Sequence, residues 1–329
     1  MAAQRSDGSK PDISVIVATR NRATHLGEAL DALAAQETDD AFTFEVLVMD
    51  NATTDETPRL VASRQARFPS RRLRYLREER VGKPWALNTG MAQAAGELLA
   101  FTDDDILPSP TWLAAMRRCL TEERADAVAG RVIPKWTGPR PAWLTDEAVG
   151  RIGTIGCVDH GAERRFSRRG QDCRWVGGSL LIRREAARLV GPYDVRMVVG
   201  EDKDYYERSV ARGLAVCYEP AALVQHKVSP ARVELRFLRT WYHRTGYYYW
   251  GHCMPWKWHH LFTVAPLWWY GKTLRLLLVW LQQCLAGRSW VERFRAELHL
   301  RQALSAWWRR LQLWPRWWLT VATGRSHLP

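Results

Sequence analysis

Glu97-Leu98-Leu99-Ala100-Phe101-Thr102-Asp103-Asp104-Asp105-Ile106-Leu107-Pro108 drives an apolar run into three consecutive carboxylates and stops at a proline. The run is short, apolar and bounded by breakers, so it reads as a buried strand. Side chains alternate along a strand, which sends Asp103 and Asp105 to one side and Asp104 to the other. Buried without partners, such carboxylates would each cost several kcal/mol. A hard divalent cation, Mg²⁺ or Mn²⁺, resolves the conflict, because it takes one or two carboxylates together with substrate phosphates. A solvated acidic turn fits the triplet as well, so the flanking chain has to decide.

Upstream, Ile13-Ser14-Val15-Ile16-Val17-Ala18-Thr19 is a β-branched, apolar strand, followed by a helical pattern through Leu26, Leu30 and Leu33. Phe44-Glu45-Val46-Leu47-Val48-Met49 is a second buried strand, closing in Asp50-Asn51, and Leu73-Arg74-Tyr75-Leu76 is a third. Pro84 suits the first turn of the next helix and Gly96 the end of it. Strands alternating with helices predict an α/β fold with a parallel sheet covered on both faces. Ligands of such sheets sit beyond the carboxyl ends of the strands, where Thr19, Asp50 and Asp103 all fall.

That crevice suits a nucleotide. Asp50 can accept N–H donors from a base or hydroxyls from a ribose, and Arg80 and Lys83, beside Gly82, can reach phosphates. The chain has neither GxGxxG after its first strand nor a GxxxxGK[ST] loop, so a dinucleotide fold and a P-loop are both poorly supported. Singly, Asp50 also reads as a turn residue and Lys83 as a solvated lysine. Residues 134–172 read as a long loop region over the site. Gly177-Gly178 before Leu180-Leu181-Ile182 permits close backbone approach to a ligand, or simply a tight turn. Gly200-Glu201-Asp202 opens a helix; acidic residues there suit the helix dipole, and one of the two can act as a general base toward a hydroxyl.

The ordered set Val17-Ala18-Thr19-Arg20-Asn21-Arg22, Val48-Met49-Asp50-Asn51, Gly82-Lys83 with Asn88-Thr89-Gly90, Phe101-Thr102-Asp103-Asp104-Asp105, and Gly200-Glu201-Asp202 with Arg208 and Gly213 resembles family 2 glycosyltransferases. The match covers about residues 12–225. The resemblance implies a GT-A fold, Rossmann-like with a mostly parallel sheet and helices on both faces. It implies inverting, metal-dependent transfer of a sugar from a nucleoside diphosphate to a hydroxyl of a glycan or lipid-linked acceptor. It also implies roles: Asp50 on the base, Thr19 and Lys83 in the nucleotide site, Asp105 on Mg²⁺ or Mn²⁺, and Asp103 on the ribose or the metal. Gly177 and Gly178 would lie by the donor sugar, Asp202 would be the catalytic base, and His226 matches a position that some relatives use as a further metal ligand. Alternatives are a nucleotidyltransferase, which releases pyrophosphate, and an inactive membrane-associated relative that only binds a sugar nucleotide or glycan.

Composition separates this body from a tail. The net charge is +13, yet residues 226–329 alone hold 16 Lys/Arg against 3 Asp/Glu, so the preceding residues balance at 32 against 32. The same tail holds 13 of the 18 Trp. The expected organisation is a lead-in without order at 1–11, a catalytic domain at 12–225 and a basic helical region at 226–329. Residues 261–285 are apolar but interrupted by Pro266, Lys272 and Arg275, short of what a spanning helix wants. Over 290–314, Val291, Phe294, Leu298, Trp307, Leu311 and Trp314 share one side of a basic amphipathic helix. Tryptophan and arginine so arranged suit an anionic membrane surface; the neutral body with its acidic cleft argues against nucleic acid. Six scattered Cys without a CxxC pair, and no apolar run after Met1, favour a cytoplasmic protein held peripherally on the inner face of the cell membrane.

Overall fold

All seven residues of β1 (Ile13–Thr19) are buried, as a strand covered on both faces requires. α1 (Ala23–Ala34) turns Leu26, Leu30 and Leu33 inward. β2 (Phe44–Asn51), α2 (Thr57–Arg64), β3 (Leu73–Glu78), α3 (Lys83–Gln93) and β4 (Leu98–Asp103) continue the alternation. Next come β5 (Ile106–Pro108), α4 (Trp112–Glu122), β6 (Ala127–Trp136), α5 (Asp146–Arg151), β7 (Arg165–Phe166), β8 (Leu180–Arg183), α6 (Arg184–Val190), α7 (Glu201–Ala211) and β9 (Val216–Val228). α8 (Leu235–Arg244), a π-helical turn (Thr245–Trp250), α9 (Gly251–Cys253), α10 (Leu267–Leu285) and α11 (Trp290–Thr323) follow. This computed structural model describes residues 10–39, 41–68, 72–152, 155–254 and 264–323. Residues 1–9 of the expected lead-in and 261–263 of the apolar run lie outside them.

The chain divides into two compact units. The first holds the described residues up to Thr137, Gly156–Arg196 and Glu201–Val228. Its sheet has nine strands among the described residues, ordered β3-β2-β1-β4-β8-β6-β9-β5 with β7 on β9. β3, β2, β1 and β4 are parallel, and α1, α2 and α3 make the connections between them in chain order. In register, Thr19 stands beside Asp50 and Ala18 beside Asp103, so three carboxyl ends align. Beyond β4 the sheet is mixed: β8 runs antiparallel to β4 and β6, while β6 and β9 are parallel.

The expected single strand through the triple carboxylate is two strands. β4 ends at Asp103, the chain turns at Asp104 and Asp105, and β5 pairs antiparallel with β9, Ile106 opposite His226. The two-residue alternation therefore stops at Asp103, and Asp104 and Asp105 do not take opposite sides; both meet one arginine, as described below. Residues 134–172, expected as loop, carry regular pieces. β6 continues to Trp136, Thr145 caps α5 through the Ala148 N–H, and β7 pairs with β9.

The second unit holds the described residues of Gly138–Ile155, Met197–Gly200 and the chain from Ser229 onward. Within it, Arg239 and Arg301 bridge Glu297 of α11. Phe294 and Leu298 are buried, and Phe294 packs edge-on against Trp143. The side of 290–314 expected to face a membrane is thus partly consumed inside the unit. α11 carries apolar residues around more of its circumference than one amphipathic face, and its neighbours cover the Phe294–Leu298 side first.

Candidate active site

The site grows from the aligned strand ends of the first unit. At the end of β1, Thr19 donates its hydroxyl to Asp104 Oδ2 at 2.8 Å. Three residues on, Arg22 reaches back with one nitrogen, 3.0 Å from Asp104 Oδ1 and 2.9 Å from Asp105 Oδ2. One guanidinium therefore neutralises two adjacent carboxylates that are 6% and 7% exposed. Burial lifts the Asp104 carboxyl to about 6 despite Arg22, with the Asp105 charge adding to the rise. Burial also works against the charge on Arg22, but Asp104 and Asp105 outweigh it and hold that guanidinium firmly protonated.

Asp103 turns to a different cation. Its Oδ1 lies 2.6 Å from Lys83 Nζ, and the same ammonium is 3.3 Å from Glu201 Oε1. Burial opposes the Lys83 charge; Asp103 and Glu201 more than offset it, so its pKa stands above the ordinary lysine value. Burial raises the Glu201 carboxyl. Lys83 is placed by the loop before α3. Asn51 at the end of β2 accepts from Gly82 N at 2.8 Å and donates to Arg80 O at 2.7 Å. Glu78 ties the same loop through Arg80 and Thr89. The Arg80 bonds hold the Glu78 carboxyl down to about 2.

Asp202 sits in the first turn of α7. Its two oxygens accept backbone N–H groups, Gly177 at 3.1 Å and Lys203 at 2.8 Å. Gly177 lies among the charged groups: a Cβ there would be 3.4 Å from Lys83 Nζ, 3.6 Å from Asp202 Cβ and 4.0 Å from Asp103 Oδ2. A Cβ on Gly178 would meet Ile106 at 2.8 Å, closer than side chains tolerate. The paired glycines thus thread the backbone between Asp202 and the end of β4.

Asp50 is fully buried and already well supplied with donors. It accepts from Thr53 N at 2.7 Å, Thr53 Oγ1 at 2.8 Å, the Tyr75 hydroxyl, and Arg77 Nη1 at 3.4 Å. His226 lies on β9 with Nε2 3.6 Å from Asp105 Oδ2. Gly156 backs its ring at a φ of +63°, where a Cβ would stand 2.9 Å from Nδ1. Among the described residues, no three of His, Cys, Asp and Glu form a closed metal cluster. Asp105 Oδ2 and His226 Nε2, 3.6 Å apart, are an oxygen and a nitrogen of the kinds that Mn²⁺ takes as ligands.

The strand ends thus carry two neighbouring groups: Thr19, Arg22, Asp104, Asp105 and His226 in one, and Asp103, Lys83, Glu201 and Asp202 around Gly177 and Gly178 in the other, while Asp50 belongs to a third at the end of β2. Sequence reasoning gave no role to Arg22, Asn51, Glu78 or the Lys83–Glu201 pair. A signal for Arg22 existed, since it follows the end of a strand that neighbours the one carrying the carboxylates.

The sequence profile of Glycosyl transferase family 2 matches residues 14–190. Glycosyltransferase AglE of Haloferax volcanii is 24% identical over 220 residues, 67% of this chain and 68% of that protein. Succinoglycan biosynthesis protein ExoM of Rhizobium meliloti is 27% identical, over 68% of this chain and 70% of its own. Matches to three uncharacterized mycobacterial proteins span only 26% of their length. Among solved structures, the mannosyltransferase PcManGT from Pyrobaculum calidifontis, in complex with GDP-Man and Mn²⁺, is similar with a TM-score of 0.53 and 21% identity, covering 97% of this chain and 77% of that one. That likeness is one of fold, a GT-A-like curled α/β sheet with a helical C-terminal region. With more than half of its residues inside the family profile, the chain belongs to glycosyl transferase family 2.

Proposed function

We propose that the chain transfers a sugar from a nucleoside diphosphate donor to a hydroxyl of a glycan or lipid-linked acceptor, with inversion at the anomeric carbon and with Mg²⁺ or Mn²⁺. The observation that carries the reading is the juxtaposition around Gly177. A base candidate, Asp202, and a charged lysine beside a strand-end carboxylate, Lys83 with Asp103, border the same backbone segment. The PcManGT complex, with its nucleotide sugar and Mn²⁺, supports the donor class and the ion.

Asp105 and His226 would hold the divalent ion, with Asp103 on the ribose or the ion. When bound, the ion would supply positive charge where the departing diphosphate gathers negative charge. The chain's own residues supply the rest. Lys83 stays charged and exchanges Asp103 for a phosphate oxygen of the donor. Arg22 keeps Asp104 and Asp105 from repelling one another before the donor arrives. Asp202 takes the proton of the acceptor hydroxyl as its oxygen bonds the anomeric carbon and the bond to the diphosphate oxygen breaks. Attack from the face opposite the leaving group inverts that carbon. Asp202 is held by two backbone N–H groups, so its position does not depend on the charge of a neighbouring side chain.

The test is calorimetric titration with UDP and with GDP, each with and without Mn²⁺, on the native chain and on Asp105→Ala. Metal-dependent binding that Asp105→Ala abolishes is the expected result, and the preferred nucleotide names the donor. Metal-dependent binding of equal strength in the variant would remove Asp105 from the ion, and native binding that ignores Mn²⁺ would remove the metal-assisted reading.

A further inference from the structure

Most of the exposed large apolar side chains among the described residues lie on α10 and α11. On α10, Trp269 is the one buried residue. Leu267, Leu274, Leu278 and Leu285 are 68%, 57%, 56% and 88% exposed. Their spacing puts them on a single line along the helix. The opposite side of α10 is spent on α11. Trp307 Nε1 donates to Thr273 Oγ1 at 3.0 Å, and Trp269 joins Ala303 and Ala306 in one cluster. α11 adds its own exposed row, Leu304, Trp308, Leu311 and Trp318, at 51%, 57%, 47% and 48%. The rings of Tyr270 and Trp307, 4.2 Å apart, join the two helices between these rows. Exposed apolar rows of this length mark an interaction surface.

Charge selects the occupant. Between Glu234 and Glu292 the sequence has seven Lys/Arg and no Asp or Glu. Arg275, exposed, flanks the leucine row of α10. Leucine inside, tryptophan and arginine at the margin, and no acidic group for a whole helix is the pattern that sinks into the headgroup boundary of an anionic bilayer. A second copy docked on the same row would bring cation against cation. No helix among the described residues is long and apolar enough to cross a membrane. A helix of 19 residues, about 28 Å long, would instead lie in the interface plane.

We propose that the exposed row of α10, continued on α11, seats the protein on an anionic bilayer surface as a peripheral contact. This moves the contact expected from residues 290–314 away from Phe294 and Leu298, which are buried, and onto leucines of α10. The proposal rests on the second unit alone and stands apart from the catalytic reading.

The test is flotation of the full chain with phosphatidylcholine vesicles, with and without phosphatidylglycerol, alongside Leu274→Glu combined with Leu278→Glu. Both leucines are exposed, so unchanged circular dichroism and melting are expected of the double variant. The native chain should float with phosphatidylglycerol vesicles, and the double variant should bind about a hundredfold more weakly. Equal binding of the two proteins would overturn the proposal. So would a native chain that ignores both vesicles; analytical ultracentrifugation would then assign the row to a second copy if it shows a dimer that the double variant loses. UDP and GDP titrations of the same two proteins read the catalytic site separately and should agree with each other.

Discussion

Asp202→Asn isolates the proton-transfer role from every structural one. The native carboxylate accepts two backbone N–H groups, Gly177 on Oδ2 and Lys203 on Oδ1. The amide retains one acceptor oxygen and so keeps one of these bonds. Losing the other costs stability of about 1 kcal/mol. Donor binding should change little, because Lys83, Asp103 and Asp105 remain and Asp202 makes no bond to a cation that the donor needs. Turnover should fall about 10²–10⁴-fold, the usual contribution of a positioned general base, equivalent to roughly 3–5 kcal/mol in the barrier. Nucleoside diphosphate release measures turnover, calorimetry measures donor affinity and thermal unfolding measures stability. Glu201→Gln is the paired control, since Glu201 adjoins Lys83 and its loss should weaken donor placement. Asp202→Asn turnover within tenfold of the native rate, with a deep loss in Glu201→Gln, would refute the assignment and transfer the role to Glu201.

Three further outcomes follow from the charge network. Arg22→Gln should destabilise the chain by about 1–3 kcal/mol at pH 8, a value held down by the partial exposure of Arg22. The Asp104 carboxyl stands raised, at about 6, so its folded form prefers the proton. The penalty of the variant should therefore shrink as pH falls from 8 toward 4; denaturant unfolding at the two pH values reads it, and a pH-independent penalty would contradict the pairing. Glu78→Gln should slacken the loop before Lys83 and raise the donor KM more than it lowers kcat. Because the Glu78 carboxyl is held down to about 2, its stabilisation is present above the ordinary glutamate value and is lost as pH falls toward 2, so native and variant melting temperatures should converge in acid. His226→Ala should weaken Mn²⁺ binding in the presence of nucleotide about tenfold or more, measured by calorimetric metal titration; unchanged affinity would leave His226 a structural partner of Asp105.

The legible parts of the site are those fixed by where strands end. Ile13–Thr19, Phe44–Asn51 and Leu98–Asp103 are apolar runs whose last residues are polar. Parallel pairing in register makes those last residues neighbours without any long-range information. What stayed hidden depends on partners distant in sequence. Asp104 and Asp105 find Arg22 from more than eighty positions away, and Ile106 finds His226 across the three-residue strand β5. Ile106 and Leu107 are good strand residues, so the turn between two short strands reads as one long strand. Alternation ends at Asp103, two residues short of Asp105. The same limit explains α11: periodicity finds that a side is apolar, but burial of Phe294 and Leu298 beside Leu304 and Trp308 left open depends on which neighbours arrive. The triple carboxylate reads as the seat of a divalent ion or as a solvated acidic turn, and in the structure two side-chain cations share its three charges, Lys83 taking Asp103 and Arg22 taking the other two. Removing either cation alone should leave the other pair intact, so Arg22 and Lys83 variants should be additive in stability, and strong non-additivity in a double-mutant cycle would show that the three carboxylates respond as one unit.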